Sequence, residues 1–160
     1  MARLVVYNHG DMQQTHHLCK QLNLQLSQQA AKHVNAVPKA CWQNAYRALL
    51  QVPALSSGCY VEGWIVDVNL PIPIEHGWVE LDGQIIDPTP VMWRDTHAYF
   101  PGLRFTKTEV LQTVSDATAL PIVSRYGVEG IKSPAYRQAW RNAFFFGMPQ
   151  KQLKHFLKHS

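Results

Sequence analysis

The amino-acid sequence predicts an α+β fold, and three observations carry that expectation. Two stretches, Asp11 to about Val34 and Pro38 to about Gln51, are rich in Ala, Leu and Gln and place apolar residues at helical spacing. Between residues 59 and 89 the pattern changes to β-branched and aromatic runs punctuated by Pro, Gly and an Asp82-Gly83 pair, which is strand and turn chemistry. Helical features return at Ser133-Pro134. The expected arrangement is an antiparallel sheet with extra helices at both ends. A length of 160 residues suits one core, so residues 1–160 are read as a single domain.

Each element has a local reason. Arg3 to Tyr7 is a short β-branched run and reads as a strand. The first helix has Asp11 as its N-cap and Gln14 positioned to complete a capping box, and Leu18, Leu22, Leu26 and Ala30 form its apolar stripe. Cys19 lies inside that helix and reads as a half-buried spacer. The second helix has Pro38 at its first position, where a missing N–H costs nothing, and stops at Pro53. Its first turn contains Cys41, on a Cys41, Ala45, Leu49 stripe.

Ser56-Ser57-Gly58 is a loop, and Cys59 to Val68 is a central strand in which Gly63 marks a bulge or a close approach. Asn69 to Pro73 is expected to be a connection, and Val91 to Thr108 a packed irregular loop with Trp93, Tyr99, Phe100 and Phe105 around Pro101-Gly102. Thr106 or Thr108 then caps a helix through Val110, Leu111 and Val114. A strand over Pro121 to Val123 and turns at Gly127 and Gly130 follow. The helix from Ser133-Pro134 ends near Gly147, and a last basic helix runs through Lys158.

Composition excludes several classes. Hydrophobic residues at 46% rule out extended disorder. Cys19, Cys41 and Cys59 form no CxxC pair and no even-numbered framework, so disulfides are not expected and a reducing cytoplasm fits. The opening ten residues hold too short an apolar run for a signal peptide, and no stretch has the length a membrane span needs, so no membrane partner is expected. The net charge of +4 concentrates late, in Arg137, Arg141, Lys151, Lys154 and Lys158. A basic run of this kind is usually a solvated helix face, and no nucleic-acid module accompanies it, so a nucleic-acid partner is not favoured. Oligomeric state is not encoded in any pattern here.

The organising stretch is Glu75 to Thr89. An Asp-Gly pair between β-prone runs predicts a hairpin with positive φ at both central residues. Facing residues then sum to 165, pairing Leu81 with Gln84, Glu80 with Ile85, Val79 with Ile86 and Trp78 with Asp87. With a side-chain period of two, His76, Trp78 and Asp87 share a face. His76 and Asp87 become diagonal neighbours, close enough for one hydrogen bond between imidazole and carboxylate. The opposite face, with Val79, Leu81 and Ile86, is expected to be the core, and Glu62, Glu75 and Glu80 are expected to be solvated.

Cys41, His76 and Asp87 together carry the chemistry. A cysteine in the first turn of a helix meets unsatisfied backbone N–H groups and the positive end of the dipole, which favour thiolate. An imidazole can take a thiol proton, and a carboxylate can hold that imidazole in one orientation.

In residue order and local motif the chain resembles the papain-like, and most closely the transglutaminase-like, cysteine enzymes. The resemblance rests on Cys41-Trp42 opening a helix, on His76-Gly77-Trp78-Val79-Glu80, and on Asp82-Gly83 leading to Ile86-Asp87-Pro88-Thr89. It covers residues 38–90 and leaves residues 1–37 and 91–160 outside. It implies a papain-like (transglutaminase-like) core, with a helix bearing Cys packed on an antiparallel β-sheet bearing His and Asp. It also implies Cys41 as nucleophile, His76 as general base and acid, and Asp87 as its orienting partner. The backbone N–H of Cys41 would serve the oxyanion, with Asn35, six residues before the cysteine, as second donor and Gln43 and Asn44 as weaker ones.

The implied activity is hydrolysis or acyl transfer at an amide or acyl bond through a thioester acyl-enzyme, peptidase or amidase first, on a peptide or other amide substrate. No cofactor is expected. Metal binding by Cys41, His76 and Asp87 is the weakest reading, because no CxxC or HxxxH element accompanies these three mixed ligands. The alternative from another class is a non-catalytic binding module with a relic triad, engaging a protein or nucleic acid through basic C-terminal helices.

Overall fold

Among the residues the structure describes, a four-stranded antiparallel sheet with strand order β3-β2-β1-β4 carries four helices, an α+β architecture. The computed structural model describes residues 21–67, 69–90, 97–116, 118, 120–122 and 133–148, and the counts that follow refer to these. The expected strand over Arg3–Tyr7, the helix start at Asp11, Cys19, the turns at Gly127 and Gly130 and the last basic helix lie outside the described residues.

The elements are α1 (Leu24–His33), α2 (Cys41–Gln51), a 3-10 turn (Pro53–Leu55), β1 (Cys59–Asp67), β2 (Leu70–Leu81), β3 (Gln84–Ile86), β4 (His97–Thr106), α3 (Lys107–Thr113) and α4 (Pro134–Gly147). The hairpin has the counted register, Val79 with Ile86, Glu80 with Ile85 and Leu81 with Gln84. Asp82 and Gly83 take φ of 48° and 76° at its turn. Thr106 caps α3 through a complete capping box with Glu109.

Several expectations need correction. The first helix does not run unbroken from Asp11. Gln21 to Asn23 instead bridge the outer side of β3, with Asn23 N–H on Ile85 O and Ile85 N–H on Gln21 O, and Asn23 then caps α1 by accepting from Leu26 N–H. The second helix begins at Cys41 rather than Pro38. Residues 69–73 are not a connection: β2 starts at Leu70 and includes Pro71 and Pro73. Both prolines lie beyond the pairing with β3 and within the register shift against β1, between Ile65 opposite Ile74 and Asp67 opposite Leu70, so among the described residues neither interrupts a regular ladder. Finally, His97 to Thr106 form a strand rather than an irregular loop. Pro101 is tolerated because β4 is the outer strand, and the register shifts between Glu62 and Gly63 opposite it. The described part of the expected strand at Pro121, residues 121–122, is not extended in the sheet.

Both faces of the sheet are buried, not one. Tyr60, Val79 and Ile86 pack with Ala45, Ala48 and Leu49 of α2 and with α1 and α3 residues in one cluster. Trp78, Val61, Ile65, Ile85 and Tyr99 form a second cluster on the other face. The alternation read as core and solvent therefore separates two cores. Glu62 and Glu80, expected in solvent, are 1% and 6% exposed, whereas Glu75 is exposed. Glu62 accepts the Tyr60 hydroxyl at 2.8 Å and the Ile122 N–H, and Glu80 pairs with Arg104 Nε at 2.9 Å. Each buried carboxylate is thus compensated by donors, as burial requires.

Candidate active site

The site is assembled where β3 ends. Among the described residues β3 pairs with β2 only over Val79 to Leu81, and at Gly77, beyond that pairing, the first turn of α2 packs against β2. A Cβ on Gly77 would lie 2.7 Å from Trp42 Cδ1 and 3.1 Å from Trp42 Cα, so only glycine admits the helix this close. Cys41 is the first residue of α2 and its N-cap, Ala40, makes no side-chain capping bond. The first N–H groups of the helix therefore point outward without an intrahelical partner.

The turn that delivers the helix is built from Asn35 and Lys39 in the left-handed region, at φ of 48° and 67°. Asn44 clamps it by accepting Val37 N–H at 3.0 Å and donating to Val37 O at 2.7 Å. The same amide reaches Thr89 Oγ1 at 3.4 Å, which ties α2 to the segment holding Asp87.

His76 is 1% exposed and Asp87 fully buried, and His76 Nε2 lies 2.7 Å from Asp87 Oδ2. With Nε2 engaged by the carboxylate, Nδ1 is the ring nitrogen left for another partner, a tautomer assigned from the partners. The Cys41 thiol lies near enough to the imidazole to raise its proton affinity. Cys41 itself is 8% exposed. Burial pulls the imidazole pKa down, but the charge and hydrogen bond of Asp87, with those of Cys41, outweigh it and push His76 up to about 10.

Four elements converge on Asp87. Its backbone N–H donates to Ser27 Oγ of α1 at 3.0 Å, its Oδ1 accepts Thr89 N–H at 2.9 Å, and its Oδ2 accepts the Tyr99 hydroxyl of β4 at 2.8 Å beside the His76 bond. The His76 ring stacks on Trp78, with centroids 6.2 Å apart and planes 19° apart, and Tyr99 meets Trp78 edge-on at 5.2 Å. The imidazole can neither turn nor hydrate freely.

The structure thus brings Cys41, His76 and Asp87 together. Asn35 is exposed just after α1 and lines a depression with Gln28, Ala31, Lys32, Ala36 and Pro90. Tyr99, Ser27 and Thr89 are the residues sequence reasoning left without a role, and Asn44, read as a weaker oxyanion donor, instead clamps the turn before α2. Of these only Thr89, in the Asp-Pro-Thr run after the hairpin, had a local cue, the tendency of Asp to bind the N–H two residues on. Among the described residues no group of three or more His, Cys, Asp or Glu side chains could hold a metal ion, and no helix is long and apolar enough to cross a membrane. Cys41 and Cys59 are free thiols.

The chain matches no family model, and comparison with curated proteins and with solved structures returns no match.

Proposed function

We propose that the chain is a papain-like (transglutaminase-like) cysteine enzyme that cleaves or transfers at an amide or acyl bond, peptidase or amidase activity first. The observation that supports this reading is the His76 imidazole held by Asp87 through Nε2 at 2.7 Å, with Cys41, the first residue of a helix, near enough to influence it. In that arrangement the Cys41 proton is already carried by His76, and the thiolate Sγ attacks the carbonyl carbon. The C–N bond of the tetrahedral intermediate then breaks as His76 returns the proton to the leaving amine, giving a thioester. Water, or an amine in a transfer reaction, attacks the thioester, gives its proton to His76 and releases the thiolate. The developing oxyanion is served by outward backbone N–H groups at the start of α2.

Acylation by p-nitrophenyl acetate, followed by intact mass, tests the reading. One acetyl group should appear on the wild-type chain with a burst of nitrophenolate, and neither should appear in Cys41→Ala. A chain that gains no acetyl at Cys41 is not this enzyme.

One observation favours a second reading, a binding module. The exposed side of α4 lines up Arg137, Trp140 and Arg141 with Phe144, whose ring stacks on Trp140 at 5.2 Å, and the helix contains no acidic residue. Residues 131–160 carry six Lys and Arg and no Asp or Glu, so the other 130 residues are net −2. Aromatic faces interleaved with arginine suit a single-stranded nucleic acid. Retention on such a strand that falls with salt and survives Cys41→Ala supports this reading, and no retention at low salt removes it.

A further inference from the structure

Asp87 Oδ2 serves two donors at once, His76 Nε2 at 2.7 Å and the Tyr99 hydroxyl at 2.8 Å. We propose that Tyr99 is a positioning residue of the reaction centre, whose hydroxyl, by sharing one oxygen of Asp87 with the imidazole, limits how firmly Asp87 retains the His76 proton. Its consequence for activity rests on the cysteine-enzyme reading; its effect on His76 does not.

Tyr99 is 6% exposed and comes from β4, two strands away from β2 across β1. A buried hydroxyl needs a partner, and here it meets a carboxylate oxygen that already has one. Burial first, then the charge and hydrogen bond of Asp87, push the phenol well above its ordinary value, so it remains a neutral donor at any working pH. A carboxylate oxygen that gives charge to one donor has less for the other. A general base works best when its proton affinity lies near the operating pH, and without the Tyr99 donor Asp87 would hold His76 protonated further above it. Among the described residues the titratable groups facing the pair are Cys41 from α2 and Tyr99 from β4. α1 contributes only the uncharged Ser27 hydroxyl, and the chain after β3 the Thr89 N–H.

Tyr99→Phe removes one oxygen and keeps the ring that packs on Trp78. The His76 imidazole is followed by NMR across pH, and Cys41 labelling by iodoacetamide across the same range. The expected result is a His76 deprotonation midpoint raised by about one pH unit, with the alkaline limb of the labelling profile moving alongside it. In an Asp87→Asn background the same substitution should move neither. Incorporating 3-fluorotyrosine at position 99, a stronger donor of nearly the same shape, should lower the midpoint and decides the matter if the Phe variant does not fold. An unchanged His76 midpoint in a folded variant, or an equal shift without the Asp87 carboxylate, overturns the proposal. If wild-type Cys41 proves unreactive, the enzyme reading fails while the His76 titration still decides the role of Tyr99.

Discussion

Gly77→Ala perturbs the close packing of the start of α2, which carries Cys41, on β2 beside His76. The added methyl would stand 2.7 Å from Trp42 Cδ1 and 3.1 Å from Trp42 Cα, and the latter is backbone of the turn that begins with Cys41. Since carbon contacts settle near 3.5–4.0 Å, the start of α2 must retreat by roughly 0.5–1 Å. Overpacking of this kind costs about 1–3 kcal/mol. A displacement of that size at a reacting group costs on the order of 10²-fold in rate. Urea unfolding and the rate of Cys41 alkylation at mildly acidic pH, measured on the same preparation, separate the two. The variant should remain folded with modest loss of stability and lose most of its alkylation rate. A stability loss with unchanged alkylation would refute the coupling, because it would mean that the His76 imidazole does not govern the thiol.

Other outcomes follow from the same contacts. The His76 pKa is raised from its ordinary 6.5 to about 10, so its contribution to stability is full below about 6.5 and is lost as pH rises through about 10. At 1.36 kcal/mol per pH unit the difference of 3.5 units bounds the effect at about 5 kcal/mol. Urea midpoints should fall over this window in the wild type and much less in His76→Gln, and a wild type that gains stability there contradicts the ion pair. Thr106→Ala removes the hydroxyl that caps α3 and should cost about 1 kcal/mol by chemical denaturation, with no change at Cys41. Gly83→Ala meets no atom within 4 Å but requires φ of 76°, so any destabilisation, about 1–2 kcal/mol, is backbone strain alone.

What could be seen in the sequence was local. The Asp82-Gly83 turn dictates its own register, and counting from it placed His76 next to Asp87, now seen at 2.7 Å. Gly63 was marked as a close approach, and a Cβ there would collide with Phe100 O. Non-local facts were hidden. Pro38 obeyed the rule for a helix start, yet the Asn44 clamp on Val37 and two left-handed residues delay the helix to Cys41. Glu62 looked like any strand carboxylate until Tyr60 and Ile122 supplied its donors. Tyr99 sat among aromatics in a Pro-Gly segment, and only the pairing of β4 with β1 brings it to Asp87.

The central claim is that His76, held by Asp87, activates Cys41, and competitive thiol labelling tests it most directly. Iodoacetamide at mildly acidic pH, with peptide mapping of Cys19, Cys41 and Cys59, should modify Cys41 far ahead of the other two, and that preference should vanish in His76→Ala. Equal, slow labelling of all three thiols, unaffected by His76→Ala, would contradict the account.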